Sequence, residues 1–116
     1  MMLDVWGIPN CQTVKKARAA LEARGVDYRF HDFKKTPPAV AMLRDWLRDA
    51  PLETLLNRRG TTWRQLSDAE RAQAEHTDGA LELLAAKPSL IKRPVVVEEG
   101  RVRSVGFDAA RFDTLG

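Results

Sequence analysis

Cysteine is almost absent from this chain of 116 residues: there is one, Cys11. A single thiol excludes an internal disulfide or a dithiol switch, and it fits a reducing, cytoplasmic setting. Histidine is nearly as scarce, with two residues, and neither His31 nor His76 has a partner at metal-ligand spacing. No metal is therefore expected. No apolar run approaches the roughly 20 residues needed to span a bilayer. The opening "MMLDVWGIPN" lacks the basic-then-apolar order of a secretory signal, so no membrane partner is expected. A P-loop, a dinucleotide fingerprint and a Ser-His-Asp signature are also missing. The charges, 19 Lys and Arg against 16 Asp and Glu, are interleaved in stretches such as "LRDWLRDAPLE" and "DAERAQAEHTD", which read as solvated helix faces. Without a basic stripe interleaved with aromatics, direct nucleic-acid binding is not expected.

What is present suits one globular domain over residues 1–116, with a hydrophobic fraction of 44% and three tryptophans for a core. Leu3 to Trp6 reads as a strand ended by Gly7 and Pro9. Val14, Ala17 and Leu21 then recur at helical spacing, and Gly25 supplies the left-handed stop. "VDYRFHDF" alternates as a second, half-buried strand. Thr36 with Pro37 and Pro38 predicts an N-cap and first turn, and the helix continues through Val40, Leu43, Trp46 and Leu47. "PLETLLNRRGTTWRQL" reads as a short helix followed by a glycine-containing loop with two arginines. Ser67 and Glu70 have capping-box spacing for the helix "AERAQAE". "DGALELLAAK" is a further helix, closed by Pro88. "PVVVEEGRVRSV" is a hairpin turning at Glu99–Gly100, and Asp108 caps a last helical segment. The order β-α-β, a helical insertion over about residues 36–88, then β-β-α predicts an α/β, thioredoxin-like fold with a mixed four-stranded sheet.

Four places could carry chemistry. Cys11 reads either as a small apolar filler or as a nucleophile. Its place at a helix start, where free N–H groups and the macrodipole favour an anion, argues for easier ionisation, and Lys15 and Lys16 add positive charge. Arg93–Pro94 opens a strand; in a thioredoxin-like sheet that strand lies beside the cysteine loop, so a cis bond there would bring Arg93 toward the thiol. Arg58 and Arg59 sit on a loop and read either as solvated cations or as a fork for an oxyanion or carboxylate. "VGFD", with Gly106 and Asp108, reads as a turn and N-cap that could also receive the charged ends of a small zwitterion.

The segments "WGIPNC", "LLNRRGTTWRQL", "IKRPVVV" and "VGFD", in that order across nearly the whole chain, resemble the arsenate reductase-related family that includes the Spx-type regulators. The resemblance implies a thioredoxin fold with a helical insertion, an active-site cysteine at Cys11 and a cis proline at Pro94. Glutathione- and glutaredoxin-coupled arsenate reductases carry residues matching Cys11 and Arg93. They have His-Asn where this chain has Gly7 and Ile8, and their further oxyanion arginines fall opposite Asn57 and Val105. Spx-type regulators bind the RNA polymerase α subunit and often carry a CxxC switch, whose second position here is Val14; their contact glycine is replaced by Pro51. The pattern fits best a single-cysteine branch thought to work as glutathione-dependent thiol reductases. "VGFD" is also similar to the glutaredoxin segment that holds glutathione.

The resulting expectation is a glutathione-dependent monothiol oxidoreductase with Cys11 as thiolate nucleophile. Lys15, Arg58, Arg59, Arg93, Pro94, Gly106 and Asp108 form its substrate-binding set. Glutathione is the co-substrate rather than a bound cofactor, and glutaredoxin is a further partner. The alternatives are a regulator that binds RNA polymerase, then an arsenate reductase.

Overall fold

Alternation between apolar and polar positions at the start of the chain produces the central strand. The computed structural model describes residues 2–116. In β1, Leu3–Gly7, both Leu3 and Val5 are wholly buried while Asp4 is not. Helix α1, Gln12–Ala23, buries Val14, Ala17 and Leu21, the three-and-four spacing that lays one apolar stripe on the sheet. It ends where Gly25 takes φ +68°, a left-handed conformation costly to a residue with a Cβ. Strand β2, Tyr28–Asp32, returns parallel to β1.

The hairpin follows much later in sequence. Strand β3, Val95–Glu98, pairs antiparallel with β1 and with β4, Arg101–Val105. Its two-residue turn places Glu99 and Gly100 at φ 52° and 79°, which suits a tight hairpin connection. The sheet order is β2-β1-β3-β4, giving the mixed four-stranded sheet of the thioredoxin-like fold. The last helix of the chain is Ala109–Phe112. Leu3, Val5, Ala17, Leu21, Val96, Phe112 and Leu115 form one core cluster between strands and helices. Arg24 fastens the C-terminal end to that cluster by donating to the carbonyls of Phe112 at 2.6 Å and Leu115 at 2.9 Å.

Those elements, from the chain start through Thr36 together with Arg93–Gly116, form one compact unit; Pro37–Lys92 forms a second. The second unit contains α2, Val40–Trp46; α3, Leu52–Leu55; α4, Thr61–Arg64; α5, Asp68–Gln73; and α6, Thr77–Ala86. A 3-10 turn at Pro88–Leu90 follows, and Leu56 bridges Ile91. The last helix of the chain is accordingly α7. The capping box of α5 is complete: Glu70 N–H donates to Ser67 Oγ at 3.1 Å, and Ser67 N–H donates to Glu70 Oε1 at 2.9 Å.

Two expectations need correction. Thr36 does not cap α2, and Pro37 and Pro38 do not form its first turn; Ala39 is the N-cap, with ψ at 152°. A residue before proline is pushed away from the helical region, so Pro37 ahead of Pro38 favours extended backbone. The arginine loop is also shorter than expected, because α4 begins at Thr61, directly after Gly60. Among the described residues, no helix is long and apolar enough to cross a membrane.

Candidate functional site

Cys11 occupies the N-cap position of α1, with extended backbone at φ −137° and ψ 125°. The strand-to-helix segment Ile8–Asn10 delivers it there, and its side chain is half-buried. An N-cap side chain faces the amides of the second and third helical residues, here Thr13 and Val14. Cys11 makes no regular capping hydrogen bond. Its thiolate is a larger, more diffuse acceptor than a hydroxyl, and the two amides favour that anion rather than closing a regular cap.

Opposing influences act on the thiol. Burial is the largest and pushes its pKa up. The Val14 amide, the hydrogen bond and positive charge of Arg93, and the Thr13 amide pull the other way, and together they hold Cys11 below the ordinary thiol value. The Arg93–Pro94 peptide is cis, and Pro94 is buried at the entry to β3. Arg93 thus comes from a segment remote in sequence, while the amides are local to the cysteine.

The other expected residues distribute as follows. Lys15 is exposed on the first turn of α1, and its N–H donates to the Cys11 carbonyl at 2.9 Å. Gly106 takes φ +79° and donates its N–H to the Pro94 carbonyl at 2.8 Å, linking "VGFD" to the cis-proline segment. Ser104 Oγ donates to the Gly106 carbonyl at 3.3 Å. Asp108 caps α7: its Oδ1 accepts from the amides of Ala110 at 3.0 Å and Arg111 at 3.3 Å. Its structural role is therefore complete through one carboxylate oxygen, and its exposed side chain keeps the other outside these bonds.

Arg58 and Arg59 belong to the second unit. The Arg58 guanidinium lies 4.8 Å from the centre of the Trp63 ring and 3.4 Å from Glu53 Oε1. Arg59 is exposed; its N–H donates to Asn57 Oδ1, and its carbonyl accepts from Arg64. Of the expected set, Cys11, Lys15, Arg93, Pro94, Gly106 and Asp108 all belong to the first unit. His31 is a strand residue that stacks on Trp6, with ring centres 4.3 Å apart, and hydrogen-bonds Asp4 at 2.8 Å.

The Thr13 and Val14 amides were not named from sequence. A backbone donor carries no residue signature; the available signal was the position of Cys11 at the helix start, since the orphan amides of a first turn point to the N-cap.

A family model described as the ArsC family matches residues 6–115. The chain is 42% identical to a solved arsenate reductase (ArsC) related protein from Brucella melitensis, over 97% of this chain and 92% of that one, with a TM-score of 0.75. It is 40% identical to a solved structure described as the YffB protein, over 96% of each chain, with a TM-score of 0.88. It is also 27% identical over 110 residues to the global transcriptional regulator Spx of Streptococcus pyogenes serotype M6, covering 92% of this chain and 79% of the relative.

Proposed function

The chain belongs to the ArsC family, and from that premise we propose that it is a monothiol oxidoreductase that reduces disulfides with glutathione in a reducing, cytoplasmic setting. The observation that carries this reading is the surrounding of Cys11, where two first-turn amides and Arg93 favour the thiolate against the cost of burial. The thiolate, not the thiol, is the nucleophile in disulfide exchange.

The proposed cycle has two exchanges. The Cys11 thiolate attacks the glutathione sulfur of a mixed disulfide, a new S–S bond forms, and the substrate leaves as a thiolate that takes a proton from water. A second glutathione, as its thiolate, then attacks the sulfur of the Cys11-bound glutathione. Oxidised glutathione leaves, and Cys11 returns as the thiolate. In net, the mixed disulfide and one glutathione become the free substrate thiol and oxidised glutathione. The incoming glutathione sulfur is oxidised from thiol to disulfide as the substrate sulfur is reduced from disulfide to thiol. Cys11 is the only cysteine, so the resolving thiol comes from outside the chain.

Glutathione offers two carboxylates and one ammonium. In the proposed site, Arg93 and the exposed Lys15 attract the carboxylates, and Asp108, through the oxygen not used in capping α7, attracts the ammonium. Pro94 and Gly106 shape the backbone between them, held by the Gly106-to-Pro94 hydrogen bond.

The test is turnover of a glutathionylated model disulfide with mass spectrometry of the intact protein. A glutathione adduct on Cys11, released by further glutathione, is the expected result, and Cys11→Ser abolishes both adduct and turnover. Retained turnover in Cys11→Ser overturns the reading. The likeness to Spx supports a second reading, a regulator that binds the α subunit of RNA polymerase. Capture of the α C-terminal domain by the Cys11→Ser protein, with no glutathione turnover in the parent, would favour it. Arsenate-dependent turnover with glutathione and glutaredoxin would favour arsenate reduction instead.

A further inference from the structure

Gly7 ends β1 in the same alternation that sends Leu3 and Val5 into the core. Its backbone is not in the left-handed region, unlike that of Gly25, Gly100 and Gly106, so conformation does not demand glycine here. Space does. A Cβ on residue 7 would stand 2.9 Å from Val14 Cγ2 and 3.4 Å from Val14 Cγ1, with Phe30 Cε1 at 3.7 Å. The first distance is closer than side-chain carbons approach one another, so something must move.

Three candidates could give way. Val14 is wholly buried, and valine within a helix is confined almost entirely to one rotamer, so its methyl groups cannot swing aside. The strand cannot easily retreat either: Gly7 is paired with Asp32 in the β1–β2 ladder, and its carbonyl accepts from Phe33 N–H at 2.8 Å. What remains is the first turn of α1, which is joined to β1 only through the short segment Ile8–Asn10 and Cys11. Lifting that turn moves the amides of Thr13 and Val14, the two local donors that face the thiol.

We propose that Gly7 is a positioning residue for Cys11: the missing side chain lets Val14 seat on the end of β1, and this holds the amides of the first turn of α1 toward the sulfur. The proposal rests on the reading of Cys11 as a thiolate nucleophile, but it requires neither glutathione nor any particular substrate.

The experiment is the rate of Cys11 alkylation by iodoacetamide against pH, in the parent, Gly7→Ala, Val14→Ala and the double variant. Near-ultraviolet circular dichroism confirms that each is folded. Gly7→Ala is expected to lower the rate at pH 7 by roughly two- to tenfold, the range for weakening one hydrogen bond to a charged acceptor. Its limiting rate at high pH stays that of the parent. Val14→Ala alone keeps the backbone amide but removes the side chain that seats on β1, so its own midpoint, wherever it falls, is the reference for the double variant. The double variant returns to the midpoint of Val14→Ala, since the atoms that collide with the new Cβ are gone. A general loosening of the fold would instead expose the thiol at every pH and would not be cured by a second core truncation.

A folded Gly7→Ala protein with the parent midpoint overturns the proposal, as does a double variant shifted as far as the single. If Gly7→Ala does not fold, crowding is graded in the Val14→Ala background. There Gly7→Ala is expected to leave the midpoint in place and Gly7→Val to raise it; equal midpoints overturn the proposal. A parent midpoint at the free-thiol value overturns the activated-thiolate reading itself, whereas a low parent midpoint that no residue 7 variant moves overturns only the role of Gly7.

Discussion

Burial opposes the charged form of Cys11, and three donors favour it and together hold the thiol below its ordinary value. Removing one donor should therefore weaken activation without erasing it. Arg93→Ala is expected to raise the alkylation midpoint and slow alkylation at pH 7 by roughly two- to tenfold, with the Thr13 and Val14 amides still acting. A folded Arg93→Ala protein with an unchanged midpoint would show that the amides alone set the thiol. The same lowering ties Cys11 to folding stability. The unfolded chain, with a thiol pKa of about 8.5, holds the proton over a pH range where the native state has released it, so stability rises with pH across that range. The contribution is fully present above the unfolded value and is lost as pH falls through the lowered native value. Urea titrations from mildly acidic to mildly alkaline pH should show this rise in the parent. The Cys11→Ser protein should lack it, and an equal slope in both would assign the rise to other groups.

At the scale of elements, Asp108 has a role in capping α7 that is independent of any ligand. Asparagine caps helices nearly as well as aspartate, whereas alanine costs about 1 kcal/mol. Asp108→Asn is thus expected to keep parent stability in urea while weakening glutathione binding, and Asp108→Ala to lose both; parent affinity in Asp108→Asn would confine the residue to capping. Ser67→Ala in the α5 capping box should similarly cost about 1 kcal/mol, read from the shift in urea midpoint. These ends were legible in the sequence because one or two residues carry each signal: Ser67 with Glu70, Gly25 after α1, Glu99–Gly100 in the hairpin. Less legible was α4, whose four residues are too few to show an apolar repeat, and the start of α2, where two prolines pointed to a first turn that their own stereochemistry disfavours. The site divides in the same way. Cys11 was legible from its place at a helix start and Arg93 from its place ahead of Pro94, while the Val14 amide and the room left by Gly7 emerge only when α1 is laid on β1.

Across the whole molecule, every group that favours the Cys11 thiolate lies in the unit formed by the two ends of the chain: Thr13 and Val14 on α1, and Arg93 ahead of β3. The second unit has buried side chains of its own, among them Leu43, Trp46, Leu81 and Leu84. A truncation there should lower stability and leave the thiol chemistry unchanged. Leu84 is wholly buried on α6, and Leu84→Ala is expected to cost about 2–5 kcal/mol, the usual range for emptying a leucine site. Phe112→Ala, in the core cluster that includes Ala17 and Leu21 of α1, should cost about 3–5 kcal/mol. Urea unfolding gives the stability of both variants, and the pH dependence of alkylation, taken where each is folded, gives the state of the thiol. Leu84→Ala should keep the parent midpoint however much stability it loses. Phe112→Ala acts on the packing of the helix that bears the amides and is expected to raise the midpoint. A folded Leu84→Ala protein with a shifted midpoint would mean that the first unit does not set the thiolate alone.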